Sequence, residues 1–169
     1  MGRNKALLPY QGTTLAQFVA ETVRAAAGSV ALVGGLPDLE IGFVRDLYPG
    51  EGPLGGILSA LDRPAADWNL IIACDMPELK VDFLRQLLEI ADSSHADAVV
   101  PVRPSGRLEP LCAAYHRNAR RGLLTAFERG VRKIAAALAE VRLRTWPVPA
   151  ELSCFQNVNT PDEWAAYER

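Results

Sequence analysis

The chain has 169 residues, 49% of them hydrophobic and 22% charged, with 13 glycines and 12 prolines spread along it. Such a composition fits one globular domain over 1–169 and excludes a disordered or low-complexity chain. A formal net charge of -2 gives no long-range attraction for nucleic acid, and no apolar stretch approaches the roughly 18–20 residues that cross a bilayer.

No apolar signal core stands behind Met1-Gly2-Arg3-Asn4-Lys5, so a soluble, cytoplasmic protein is expected. Short apolar runs then alternate with helical periodicity, the pattern of an α/β domain with helices on a mostly parallel sheet. The spacing predicts a helix over 14–27, capped by a threonine, with Leu15, Phe18, Val19, Thr22 and Val23 inward and Gly28 at its end. Strands are expected over 29–33 and 41–44, and a helix over 53–61 with Pro53 at its first position. The continuous apolar run 68–74 predicts a strand buried on both faces. Beyond it the pattern predicts a helix over 81–92, with Phe83, Leu84, Leu87, Leu88 and Ala91 inward, and a strand over 98–102. A Pro104-Ser105-Gly106 turn, a strand over 111–115, helices over 118–129 and 132–140 and an edge strand over 141–148 come next. A last helix opens at Thr160-Pro161-Asp162-Glu163.

Chemistry concentrates at few positions. Cys74, Cys112 and Cys154 show no C-x-x-C or Cys/His spacing, so reduced thiols are expected rather than disulfides or zinc; His95 and His116 stand alone and are expected to be structural. Asp75 comes directly after the clearest strand and is itself followed by Met76-Pro77. In open α/β sheets ligands bind beyond the carboxyl ends of the strands, and a hard oxygen ligand there suits Mg²⁺, which takes only one or two carboxylates. The competing role is a cap on the next helix.

The run Gly50-Glu51-Gly52-Pro53-Leu54-Gly55-Gly56 matches G-x-G-x-x-G ahead of a helix. A dinucleotide-binding loop competes here with a tight connection, although Asp46-Leu47-Tyr48-Pro49 separates these glycines from the preceding strand. Lys5 could pair with phosphates. Asn157 and Asn159 alternate with Val158, so in an extended segment both amides face the same way.

Five segments in register resemble the molybdenum cofactor guanylyltransferases, the MobA-type branch of the nucleotidyltransferases. They are Met1-Gly2-Arg3-Asn4-Lys5, Asp46 followed by Gly52-Pro53-Leu54-Gly55-Gly56, Cys74-Asp75-Met76-Pro77, Arg107-Leu108-Glu109-Pro110-Leu111 and Asn157-Val158-Asn159-Thr160-Pro161. The resemblance implies a single three-layer domain of Rossmann-like nucleotidyltransferase fold. It implies that Lys5 contacts nucleotide phosphates, that Asp46, Gly52, Pro53, Leu54 and Gly55 help hold the guanine nucleotide, and that Asp75 binds Mg²⁺. Asn157, Asn159 and Arg107 would then lie on the molybdopterin side. The implied partners are GTP, molybdopterin or its molybdenum-loaded form, and molybdoenzyme-maturation proteins.

The activity implied is transfer of GMP from GTP to the molybdopterin phosphate, with Asp75 and Lys5 as the catalytic groups. Alternatives are a cytidylyl- or sugar-phosphate nucleotidyltransferase and, from other classes, a pterin- or NAD-binding module without catalysis. The family's L-x-G-G-x-S-x-R is missing ahead of Met1, and the strand ending at Val33-Gly34 lacks an asparagine that some members use for nucleotide contact. The resemblance therefore implies a chain started at an internal methionine, lacking the first strand and Gly-Gly loop. The strands over 29–33 and 68–74 would then have open edges, and the 169 residues alone would bind GTP poorly or not at all.

Overall fold

The structure, a computed structural model, describes residues 5–34, 39, 41–64, 66–150 and 154–155. Its first element is a 3-10 turn, Lys5–Leu7. A small antiparallel hairpin comes next, β1 (Pro9–Tyr10) and β2 (Thr13–Thr14), with Pro9 opposite Thr14 and Tyr10 opposite Thr13. Its two turn residues, Gln11 and Gly12, have φ of 46° and 81°, the left-handed pair that a two-residue hairpin turn requires. Local patterning does not announce this hairpin, because Gln is an unusual occupant of such a position.

Helix α1 (Leu15–Ala27) starts where expected: the Thr14 side chain accepts a hydrogen bond from the Gln17 amide at 3.2 Å. It ends on Gly28 in the left-handed region. Its buried stripe is Leu15, Ala16, Val19, Ala20 and Val23. Phe18 and Thr22 are only half-buried, because the closely packed side of the helix takes the small alanines and leaves the wider residues at its flank.

Strands β3 (Ala31–Val33) and β4 (Gly42–Val44) form a parallel pair. Helix α2 (Pro53–Ala60) precedes β5 (Trp68–Ile72), and α3 (Val81–Asp92) precedes β6 (Ala98–Val102). The remainder is β7 (Cys112–His116), α4 (Ala119–Glu128), the short α5 (Ile134–Ala137) running into a 3-10 turn, Leu138–Glu140, and β8 (Leu143–Pro147). One longer helix was expected over 132–140. The last helix expected at Thr160 lies outside the described residues.

The four-stranded sheet has the order β5-β7-β6-β8, with β7 antiparallel to both neighbours and β8 parallel to β6 on the expected edge. Alternation along the strands divides the core into two layers. Val99, Cys112 and Ala114 meet α1 and α3 through Leu15, Val19, Val23, Phe83, Leu84 and Leu87. Ala98, Val100, Ala113 and Tyr115 meet α2, α4 and α5 through Leu54, Leu58, Leu123, Phe127 and Ile134. Helices on both faces make the three-layer α/β architecture expected from the sequence, but this sheet is mixed rather than mostly parallel, because β7 enters antiparallel between β5 and β6. Of the inward set expected in α3, only Leu88 is not fully buried.

Strand β5 departs from expectation. All five of its residues are half-buried rather than enclosed, because among the described residues β5 sits at the edge of its sheet and pairs only with β7. Among the described residues β3 likewise pairs only with β4.

Gly122 in α4 is the tightest position in the packing. A Cβ there would lie 2.2 Å from the Glu140 carbonyl oxygen and 2.9 Å from Val141 Cγ1. Alanine is the better helix former by about 1 kcal/mol, but overpacking against a backbone carbonyl costs more. Gly122→Ala should therefore lower stability by about 2–3 kcal/mol, a fall in Tm of roughly 5–10 °C. An unchanged or raised melting temperature would mean that the 138–141 turn yields freely.

Candidate functional site

Three of the candidate segments follow the carboxyl ends of strands. Asp75 comes three residues after β5, Asp46 two residues after β4, and the loop bearing Arg107 comes after β6. This is where an α/β sheet offers a crevice, because its helices leave the strand ends uncovered.

The segment 76–79 anchors Asp75 from its C-terminal side. Met76 is 2% exposed and Leu79 4%, the Leu79 amide donates to the Met76 carbonyl at 3.3 Å, and the Tyr10 hydroxyl donates to the Pro77 carbonyl at 3.4 Å. Tyr10 itself is buried edge-on against Phe18, and burial, with the Glu78 carboxylate nearby, pushes its phenol pKa up. The hairpin after Lys5 is thereby tied to the Asp75 loop. Lys5 begins the 3-10 turn, and its side chain lies outside what the structure describes.

Asp75 is half-buried and makes no hydrogen bond or ion pair among the described residues. It does not cap the next helix, whose N-cap is Lys80. A half-desolvated carboxylate with neither oxygen hydrogen-bonded by the described residues can accept a ligand. Among the described residues no group of three or more His, Cys, Asp and Glu gathers to hold a metal. A single carboxylate is a donor set that fits Mg²⁺, which completes its octahedron with water and phosphate oxygens.

Among the described residues Asp46 is bound on one oxygen only. Its Oδ1 accepts from the Tyr48 amide at 3.0 Å and from the Ser59 hydroxyl at 3.1 Å, while Oδ2 makes no hydrogen bond among the described residues. The glycine loop between Asp46 and α2 is pinned from outside: Arg132 donates to Glu51 at 2.6 Å and lies over the Phe127 ring, which Tyr48 also touches.

Within the loop the glycines have different reasons. Gly52 takes φ 78° at the N-cap of α2, with open space where a Cβ would stand. Pro53 is exposed at the first helical position. Leu54 is fully buried, so its side chain is core and only its backbone can meet a ligand. Gly55 faces protein: a Cβ there would lie 2.9 Å from Tyr48 Cβ. The first-turn amides of α2 have no partners within the helix, which makes its N-terminus receptive to anionic groups.

The β6–β7 loop carries a cluster of which sequence reasoning singles out only Arg107. Glu109 is buried and ion-pairs with Arg103, while Arg107 lies 3.4 Å from the same oxygen. Arg103 also donates to the Phe155 carbonyl and lies over its ring. Arg103 is thus engaged by protein, whereas the Arg107 side chain is 69% exposed and is the cation offered to solvent. The Tyr115 hydroxyl fixes the loop from below, donating to the Pro110 carbonyl at 2.8 Å. The Pro104-Ser105-Gly106 turn holds the signal for Arg103, since a turn there sets 103 opposite 107, and the Arg103 amide does donate to the Arg107 carbonyl at 2.9 Å.

No described cysteine is in a disulfide. Burial pushes the thiol pKa of Cys112 well up and that of Cys154 to about 11, so both stay protonated and neither is a nucleophile. His116 accepts from the Asn118 amide and packs on Trp68 at the far end of β5, and His95 is exposed. Asn157 and Asn159 lie outside the described residues.

Known proteins are similar to this chain in sequence and in fold. A Bacillus cereus protein named probable molybdenum cofactor guanylyltransferase is 29% identical over 180 residues, covering 99% of this chain and 89% of its own. The crystal structure of molybdopterin-guanine dinucleotide biosynthesis protein A from Archaeoglobus fulgidus superposes with a TM-score of 0.82 at 28% identity, covering 99% of this chain and 90% of its own. The 2-C-methyl-D-erythritol 4-phosphate cytidylyltransferase of Thermus thermophilus shares the fold, with a TM-score of 0.74 at 19% identity over 97% of this chain and 92% of its own. The fold is thus the Rossmann-like one of the nucleotidyltransferases. The family model described as the MobA-like NTP transferase domain matches residues 1–142, and the chain belongs to that family.

Proposed function

We propose that this nucleotidyltransferase moves GMP from GTP to the terminal phosphate of molybdopterin, forming the guanine dinucleotide and pyrophosphate. The observation that carries the reading is Asp75, a half-buried carboxylate with no partner among the described residues, beyond the end of β5. Family membership and the name of the Bacillus cereus relative support the choice of substrates.

The terminal phosphate oxygen of molybdopterin attacks the α-phosphorus of GTP in line. A new P–O bond forms, the bond to the β-phosphate bridge breaks, and pyrophosphate leaves. Such a reaction needs positioning and charge neutralisation more than a nucleophile on the protein, which fits the inert thiols and distant histidines. Asp75 would hold Mg²⁺, and the ion would supply the positive charge that an acidic protein lacks toward a triphosphate. Lys5 offsets charge on the leaving pyrophosphate. The α2 amides receive phosphate oxygens. The unused oxygen of Asp46 accepts from an N–H or O–H of base or sugar, since a phosphate there would be repelled. Arg107, Asn157 and Asn159 are assigned to recognition of molybdopterin.

Thermal shifts in the gene-encoded protein separate this reading from its competitors, because a ligand that prefers the native state stabilises it by mass action. GTP with Mg²⁺ at about a hundred times its Kd should raise Tm by roughly 5–10 °C. A larger shift with CTP would assign a cytidylyltransferase, and a shift with NAD(H) in the absence of metal would assign the glycine loop to a dinucleotide.

A further inference from the structure

We infer that Ser59 is a positioning residue that sets the Asp46 carboxylate for the nucleotide; this rests on the proposed role of Asp46 in holding it. Ser59 is fully buried, on a helix whose inward face is otherwise Leu54, Gly55, Ile57 and Leu58. A hydroxyl in such surroundings is costly unless its hydrogen bonds are made. They are made twice over. The Ser59 hydroxyl shares its proton between the Gly55 carbonyl at 2.9 Å and Asp46 Oδ1 at 3.1 Å, and accepts from the Leu47 amide at 2.9 Å.

The bond to Gly55 is the ordinary one a helical serine makes one turn back. The other two are not explained by the helix, because they reach 12 and 13 residues up the chain. Together with the Tyr48 amide on the same carboxylate oxygen, they fix the rotamer of Asp46 and leave Oδ2 without a hydrogen bond among the described residues. They also lock the Asp46 turn to α2, so that the carboxylate and the first-turn amides hold one relative placement before a ligand arrives. Preorganisation of this kind strengthens binding without a direct contact. Loss of Ser59 should therefore weaken the hold on the nucleotide and leave the chemical step alone.

A double-mutant cycle in the gene-encoded protein tests this, with Tm measured for each variant. Ser59→Ala should raise the KM for GTP about tenfold, the loss of a hydrogen bond to a charged group, with kcat within about twofold and the KM for molybdopterin unchanged. Combined with Asp46→Ala it should add nothing beyond Asp46→Ala alone, because the two side chains act as one unit. Should Ser59→Ala unfold under assay conditions, Ser59→Cys, somewhat larger than serine but keeping a weak donor, carries the same test with a rise of about threefold. Factors that multiply in the double variant, or a GTP KM unmoved by Ser59 variants while Asp46→Ala raises it, would overturn the positioning role. A GTP KM unmoved by Asp46→Ala would instead remove Asp46 from the nucleotide site, and the role of Ser59 with it.

Discussion

Asp75→Asn should reduce metal-dependent GMP transfer by about a thousandfold or more while leaving the fold almost untouched, because a negative charge that holds a cation is worth several kcal/mol in the transition state. The asymmetry comes from the surroundings of Asp75. It forms no hydrogen bond or ion pair among the described residues, and the cap of α3 is Lys80, so the amide removes no structural contact with them. The Met76 and Leu79 anchors that fix the loop are unaltered by the exchange. Tm should thus stay within about 2 °C of wild type, the range of a substitution that breaks no buried contact. A variant that melts normally and transfers GMP at the wild-type rate would falsify the assignment of Asp75 to the metal. A variant that melts much lower would give the residue a structural role instead.

Gly55→Val should cost both stability and nucleotide affinity. The resemblance assigns Gly55 to the nucleotide loop, where a side chain would meet the ligand, but the packing supplies a nearer obstacle. A Cβ at 55 would lie 2.9 Å from Tyr48 Cβ, 3.2 Å from the Tyr48 carbonyl oxygen and 3.4 Å from Glu51 Cβ, and valine adds two methyls with few rotamers to escape into. The turn must move, and Asp46 moves with it, since the Tyr48 amide is one of its hydrogen-bond donors. A loss of about 2–3 kcal/mol in stability is expected, with at least about a tenfold weakening of GTP binding. Lost affinity at unchanged Tm would return Gly55 to direct ligand contact. Unchanged affinity would make the glycine run a connection only.

The helix stops, the order of strands and helices and the place of Asp75 after β5 are legible in local patterns: Thr14 before an amphipathic run, Gly28 after it, and an apolar strand ending in Asp-Met-Pro. Long-range pairing is what local patterns hide. That β5 is an edge strand depends on β7 being its one partner in the described sheet, and nothing within 68–72 encodes that. Arg103 gains its meaning only when Glu109 folds back on it. Ser59 reads as one polar residue in an apolar helix until Asp46 is seen across from it. The Gln11-Gly12 turn is hidden for a local reason, as glutamine seldom takes a positive φ.

The central claim is a reaction, so its most direct measurement is product analysis. The gene-encoded protein is incubated with Mg²⁺, molybdopterin and either GTP or CTP, and the dinucleotide and pyrophosphate are followed by mass. Formation of the guanine dinucleotide with one pyrophosphate per product, dependent on the divalent metal and lost in Asp75→Asn, is the predicted result. Product from CTP and none from GTP, or a guanine dinucleotide formed equally well after the metal is chelated, would contradict it.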